Sequence, residues 1–78
     1  MKKYKNLNGN SNVAYYQIYE DSIDVIFKTG DFIYNYNVND IGQNVFNELK
    51  RAAINGYGLN SLIMRLCRKK YTKRLINR

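Results

Sequence analysis

The chain of 78 residues has no histidine and a single cysteine, Cys67. One cysteine cannot form an internal disulfide, and without further cysteines or histidines a zinc knuckle is excluded. The usual catalytic triads and general bases that depend on histidine are excluded as well. Cys67 is expected to be a small packing residue. We therefore expect a binding protein, neither an enzyme nor a holder of a metal or cofactor.

Long apolar runs are also missing. The basic N-terminus, MKKYKNLNGNSN, is not followed by the apolar segment of a signal peptide. No stretch approaches the roughly 20 apolar residues that span a bilayer. We expect a cytoplasmic protein with no membrane partner. Asn, Ile, Lys and Tyr are plentiful, and their AT-rich codons fit a low-GC bacterium or its phage.

Acidic residues are absent from residues 57–78. The charge of this segment is therefore +7, which equals the net charge of the whole chain. Its cations are Arg65, Arg68, Lys69, Lys70, Lys73, Arg74 and Arg78. Residues 1–5 add three lysines, whereas residues 6–56 contain all six acids and are mildly acidic. Like charges held together repel, so this pattern favours an anionic partner.

Period-two alternation over residues 12–38 predicts three strands, at residues 13–19, 22–28 and 31–38. Gly30 can take the positive φ that a tight hairpin needs. The polar residues 1–11 are expected to form a flexible basic tail.

The two faces of this sheet follow from the pairing. Joining Tyr19 to Ser22, and Lys28 to Asp31, places Val25 opposite Tyr34. The expected core face carries Ala14, Tyr16, Ile18, Ile23, Val25, Phe27, Phe32, Tyr34, Tyr36 and Val38. The opposite, outer face carries Val13, Tyr15, Tyr19, Ile26 and Ile33.

The second half has helical periodicity. Asn39 or Asp40 caps a first helix running to about Ile54, and Gly56 occupies its left-handed C-cap. Its apolar stripe is Ile41, Val45, Phe46, Leu49, Ala52 and Ala53. A second helix is capped at Asn60 or Ser61 and continues into a basic helical extension, residues 72–78. A second, weaker stripe, Met64, Cys67, Tyr71 and Leu75, supports this continuation. The predicted fold class is α+β: a three-stranded antiparallel β-meander followed by two α-helices packed on one face.

The order of short motifs resembles the KTSC domain, a small module found at the C-terminus of some lysyl-tRNA synthetases and as stand-alone bacterial and phage proteins. The motifs are IDVIF at residues 23–27, Gly30, YNY at residues 34–36 followed by Val38, Ala52-Ala53, and GYGLN at residues 56–60. The resemblance covers residues 12–71 and leaves residues 72–78 outside. Asn39 stands where the family often has proline. The resemblance implies this β-β-β-α-α fold, and RNA binding is a suggested role for the family.

Two candidate sites follow. Arg65, Arg68, Lys69, Lys70, Lys73 and Arg74 lie along the predicted basic helix and are expected to bind nucleic-acid phosphates. Tyr15, Tyr19, Ile26 and Ile33 form an exposed patch that could stack bases, contact a protein, form a homodimer or simply be exposed. Asp21, Asp24 and Asp31 lack the spacing of a calcium loop, so no metal site is expected.

The sequence therefore predicts a small non-enzymatic binding module for RNA or a ribonucleoprotein complex. The alternative is a phage-encoded inhibitor of a host defence nucleoprotein complex, similar in role to an anti-CRISPR protein, that acts by direct protein contacts. A third hypothesis is an accessory protein of the ribosome or of a synthetase.

Overall fold

A five-stranded antiparallel sheet carries the helices on one face. The computed structural model describes residues 1–76. The strands are β1 (Lys2–Lys3), β2 (Val13–Ile18), β3 (Ser22–Phe27), β4 (Phe32–Asn37) and β5 (Thr72–Leu75), in that spatial order. The helices are α1 (Val38–Ile41), α2 (Gln43–Asn55) and α3 (Leu59–Leu66). The α+β class is confirmed, but the sheet has five strands where the sequence predicted three. No helix within residues 1–76 is long and apolar enough to cross a membrane.

The central hairpins have the predicted register. Ile18 pairs with Ile23 at the first turn, and Val25 lies opposite Tyr34 in the second hairpin. Tyr16 and Tyr36 are buried on the inner face, which packs against the helices. The hydrophobic core consists of Tyr4, Val13, Tyr16, Ile23, Val25, Phe27, Tyr36, Ile41, Phe46, Leu49, Ala52, Ala53, Leu59, Ile63 and Cys67.

A β-bulge near the start of β2 corrects one assignment. Val13 pairs with Phe27 and Tyr15 pairs with Ile26, so the ladder shifts by one residue between them. The extra residue turns Val13 inward, where it is fully buried, while Tyr15 stays on the outer face. The prediction that Val13 lies on the outer face is therefore wrong.

The N-terminal residues belong to the fold, in place of the flexible tail predicted for residues 1–11. β1 pairs with β2, and Tyr4, only 3% exposed, is part of the core. The Tyr4 hydroxyl accepts a hydrogen bond of 3.2 Å from the Leu59 backbone N–H, at the start of α3. The Leu7 N–H also donates to the Gly56 carbonyl at 2.9 Å. This segment therefore links the sheet edge to the helices.

The helical half begins with a break. Asn37 caps α1, because its side chain accepts from the Asn39 N–H at 2.8 Å, so the predicted cap at Asn39 or Asp40 is wrong. The predicted cap of the last helix at Asn60 or Ser61 is also wrong, since α3 begins at Leu59 after Gly58. Gly42, with φ of 86°, then separates α1 from α2, where the sequence predicted one helix. The predicted left-handed C-cap at Gly56 is confirmed, and its N–H donates to the Ala52 carbonyl.

The predicted basic helical extension is wrong within residues 72–76. After Leu66 the chain turns, with the Lys70 N–H donating to the Cys67 carbonyl, and β5 pairs with β4. Pairing along the sheet edge satisfies backbone groups that a projecting helix end would leave to water. Residues 77 and 78 of the predicted extension lie outside the described residues.

Replacing Tyr4 tests whether the N-terminal residues contribute to the core. Tyr4→Ala should lower the free energy of unfolding by about 3–5 kcal/mol, because it removes a buried aromatic ring and its hydrogen bond. Tyr57→Ala, at an exposed tyrosine, should change it by less than about 0.5 kcal/mol. Urea denaturation followed by circular dichroism measures both, and equal effects would mean that Tyr4 is not a core residue.

Candidate nucleic-acid interface

One row of side chains crosses the outer face of the whole sheet. Backbone pairing aligns Lys3 with Tyr15, Tyr15 with Ile26, Ile26 with Ile33, and Ile33 with Arg74. Paired residues of neighbouring strands point to the same face, so these five form what we call the transverse row. With four strand spacings, it is about 19 Å wide. It has a cation at each sheet edge, with aromatic and aliphatic side chains between them.

Two separately predicted sites therefore meet on this face. Tyr15, Ile26 and Ile33 come from the predicted partner-binding set, and Arg74 comes from the predicted phosphate-binding set. Tyr15 is 43% exposed, whereas both isoleucines are half-buried. The fourth member of the predicted patch, Tyr19, is 48% exposed beyond the end of β2. The row thus offers an accessible aromatic ring between two positive charges.

Beside the row lies a buried carboxylate. Asp24 is only 1% exposed although it belongs to the outer face. Its Oδ1 accepts a hydrogen bond of 2.8 Å from Asn35 Nδ2, and Asn35 also donates to Ser22 Oγ at 3.1 Å. Its Oδ2 accepts from the Tyr19 hydroxyl at 3.1 Å and from Arg74 Nη2 at 2.9 Å. These contacts compensate for the loss of water around the charge.

This network raises the pKa values of Tyr19 and Arg74. Partial burial, the hydrogen bond to Asp24 and the negative charge of Asp24 raise the pKa of Tyr19, against the opposing effect of Arg74. The hydrogen bond to Asp24 and its charge also raise the pKa of Arg74. Both shifts reinforce the states that these groups already have at neutral pH, a hydroxyl donor at Tyr19 and a cation at Arg74.

Arg74 keeps donor capacity for a ligand. Its side chain is 57% exposed, while one terminal nitrogen is engaged with Asp24. A guanidinium has five N–H donors in a rigid plane. The ion pair therefore fixes the orientation of the guanidinium, and the exposed N–H groups are available to an oxyanion.

The other predicted phosphate-binding residues do not form one surface. Lys73, adjacent to Arg74, pairs with Tyr34 and so lies on the inner side, where its Nζ is 4.6 Å from the Phe32 ring centroid. Arg65 lines a polar cleft of about 560 Å³ beside the N-terminal loop. Arg68 lines a different, aromatic groove. Lys69 and Lys70 are exposed in the turn before β5. The single basic helix predicted from the sequence is thus replaced by several separate surfaces.

Sequence reasoning missed Lys3 and the role of Asp24. The signal for Asp24 was present, since the predicted register places Asp24 directly opposite Asn35, as the structure does. Lys3 gave no such signal, because a two-residue strand has too little periodicity to detect. Within residues 1–76 no three potential ligands come together to hold a metal ion. Cys67 is fully buried, and burial raises the pKa of its thiol against the effect of Lys70.

No family model, curated protein or solved structure matches this chain. The resemblance to the KTSC domain therefore stays a prediction.

Removing one hydroxyl tests the network around Asp24. Tyr19→Phe deletes the donor at 3.1 Å from Asp24 Oδ2 and should lower the free energy of unfolding by about 1 kcal/mol. Tyr15→Phe removes a hydroxyl from the exposed tyrosine of β2, for which no such hydrogen bond is described, and should have almost no effect. Chemical denaturation of both variants provides the comparison. An unchanged stability in Tyr19→Phe would show that this hydrogen bond is not made in solution.

Proposed function

We propose that the protein is a non-enzymatic module that binds RNA, alone or within a ribonucleoprotein complex, on the outer face of its sheet. The transverse row carries this proposal. Proteins that bind single strands combine cations, which neutralise the backbone, with aromatic rings on which bases stack. Lys3 and Arg74 supply the first component at the two sheet edges, and Tyr15 supplies the second between them.

Each residue then has a distinct role. Tyr15 stacks against a base, with Ile26 and Ile33 forming the apolar floor beside it. Lys3 and Arg74 each contact a phosphate. Tyr19 offers a second exposed ring, and its hydrogen bond to Asp24 restrains that ring before any ligand arrives. Restraint before binding lowers the entropic cost of the complex.

The charge balance of the face is compatible with RNA. Asp24 is the buried carboxylate of this face, and the ion pair of 2.9 Å with Arg74 compensates for the negative charge of Asp24. The net charge of +7 adds long-range attraction for a polyanion. Contacts to phosphates alone carry no sequence information, so any base preference must arise from contacts to the bases themselves.

The same surface also supports the alternative, an inhibitor of a host defence nucleoprotein complex that acts by protein contacts. Exposed tyrosines next to half-buried isoleucines are typical of protein interfaces, as is an arginine. Dimerisation through this face has the same basis. Variants of Lys3 and Tyr15 distinguish these functions from RNA binding.

The two N-terminal lysines form a matched pair for testing phosphate contact. Lys3 lies in the transverse row, whereas Lys2 pairs with Tyr16 and points to the other side of the sheet. Lys3→Gln should weaken binding of a single-stranded RNA and reduce the slope of log affinity against log salt by about 0.7. Lys2→Gln should leave the slope nearly unchanged. Filter binding at several salt concentrations measures this, and equal slopes in the two variants would contradict the proposed orientation.

Replacing the exposed ring separates RNA binding from protein contact. Tyr15→Ala should weaken single-strand binding by about 1–3 kcal/mol through lost stacking. Tyr57→Ala, which removes an exposed tyrosine from the helical side, should not change it. If Tyr15→Ala binds RNA normally but loses a protein partner or a dimer, as shown by its size-exclusion mass, the inhibitor or dimer function would replace the RNA proposal.

A further inference from the structure

A groove lined by aromatic rings lies on the opposite side of the sheet from the transverse row. It has a volume of about 440 Å³, within the range of about 300–1,000 Å³ typical of small-molecule sites. Its rings are Phe27, Phe32, Tyr34, Tyr36 and Tyr71, and its other walls include Met64 and Arg68. The groove is bordered by the β3–β4 turn, β4, α3 and the turn before β5.

The rings form a connected cluster centred on Tyr34. The Tyr34 ring lies edge to face with Tyr71 at 4.8 Å, with Phe27 at 5.2 Å and with Phe32 at 6.4 Å between centroids. Tyr71 also contacts the buried Tyr36 ring at 5.9 Å. Phe32, Tyr34 and Tyr71 are only half-buried. The cluster therefore holds their positions while leaving aromatic surface open to a planar ligand.

Positive charge accompanies this aromatic surface. Arg68 lines the groove and is exposed. Lys73 does not line the groove itself, but its ammonium lies 4.6 Å from the centroid of the Phe32 ring, which is part of the lining. No acidic side chain is among the described residues that line the groove. A purely apolar ligand would gain nothing from these cations, whereas a planar ring that carries an anionic group would use both features.

We propose that this groove binds a nucleotide, with the base against the Tyr34–Tyr71–Phe32 cluster and the phosphate on Arg68 and Lys73. Aromatic rings stack on any base, and arginine and lysine both bind phosphate. The nucleotide is either free or one unit of an RNA strand, since both present the same base and phosphate. The site shares no residue with the transverse row, so it does not depend on RNA binding there.

Nuclear magnetic resonance on the isotope-labelled full chain tests this site directly. AMP should shift the ring resonances of Phe32, Tyr34 and Tyr71 in a saturable manner. Adenosine, which lacks the phosphate, and ribose 5-phosphate, which lacks the base, should each bind more weakly than AMP. If millimolar AMP leaves the three rings unshifted, or if all three compounds bind equally, the proposal is overturned.

Neighbouring cations provide the matched variants. Arg68→Gln should weaken AMP binding about tenfold or more, because it removes a charged hydrogen-bond donor from the phosphate. Lys69→Gln, an equal charge change at the next, non-lining residue, should retain the affinity. Both residues are exposed, so both variants should fold. Equal loss in the two variants would indicate attraction by net charge alone and would overturn the site.

A double variant, Lys3→Gln with Tyr15→Ala, separates the two sources of the nucleotide. It disables the transverse row and should still bind AMP in the groove. If a short oligoadenylate also shifts Phe32 and Tyr71 in this variant, the groove accepts a nucleotide within a strand. If only AMP does so, its ligand is the free nucleotide. Loss of AMP binding in this variant would overturn the independence of the two sites.

Discussion

The arrangement of the outer face of the sheet depends on one requirement, which is that the buried carboxylate of Asp24 be fully hydrogen-bonded. An ionised group so far from water is tolerated only if hydrogen bonds and opposite charge replace its hydration. Its partners come from three places: Tyr19 after β2, Asn35 on β4 and Arg74 on β5. The C-terminal strand is thus held by side chains as well as by the backbone ladder. Asp24 of the central strand β3 thus helps to position the C-terminal segment, which contains no acid of its own.

Because β5 is an edge strand of the sheet, its pairing with β4 determines on which face each C-terminal cation lies. Successive residues of a strand point to opposite faces, so Arg74 joins the outer face while Lys73 lies over Phe32 on the inner side. One short strand thereby supplies a cation to each of two aromatic surfaces. Charged side chains on an exposed edge also discourage unwanted pairing with other strands. The same residues that suit an anionic ligand therefore protect the sheet edge.

The sequence was informative wherever a period persisted over several residues. Alternation in the central strands sufficed for their faces and register, including Val25 opposite Tyr34. The spacing of Met64, Cys67, Tyr71 and Leu75 fitted a helix, but pairing with β4 outweighs so weak a local preference. A two-residue strand at Lys2–Lys3 and a one-residue bulge after Val13 leave no periodic trace. The patch around Tyr15 was therefore predictable, whereas the placement of Lys3 and Arg74 on either side of it was not.

The Asp24 network also bears on how a phosphate could bind without disrupting the sheet. A phosphate approaching Arg74 competes with Asp24 for the guanidinium, and a buried charge left alone would make that exchange unfavourable. Asp24, however, also accepts from Asn35 at 2.8 Å and from Tyr19 at 3.1 Å. The carboxylate thus keeps two donors while Arg74 shares its remaining N–H groups with the ligand. In the proposed complex, phosphate binding at the sheet edge would therefore need an adjustment of the exposed Arg74 side chain and not of the strands.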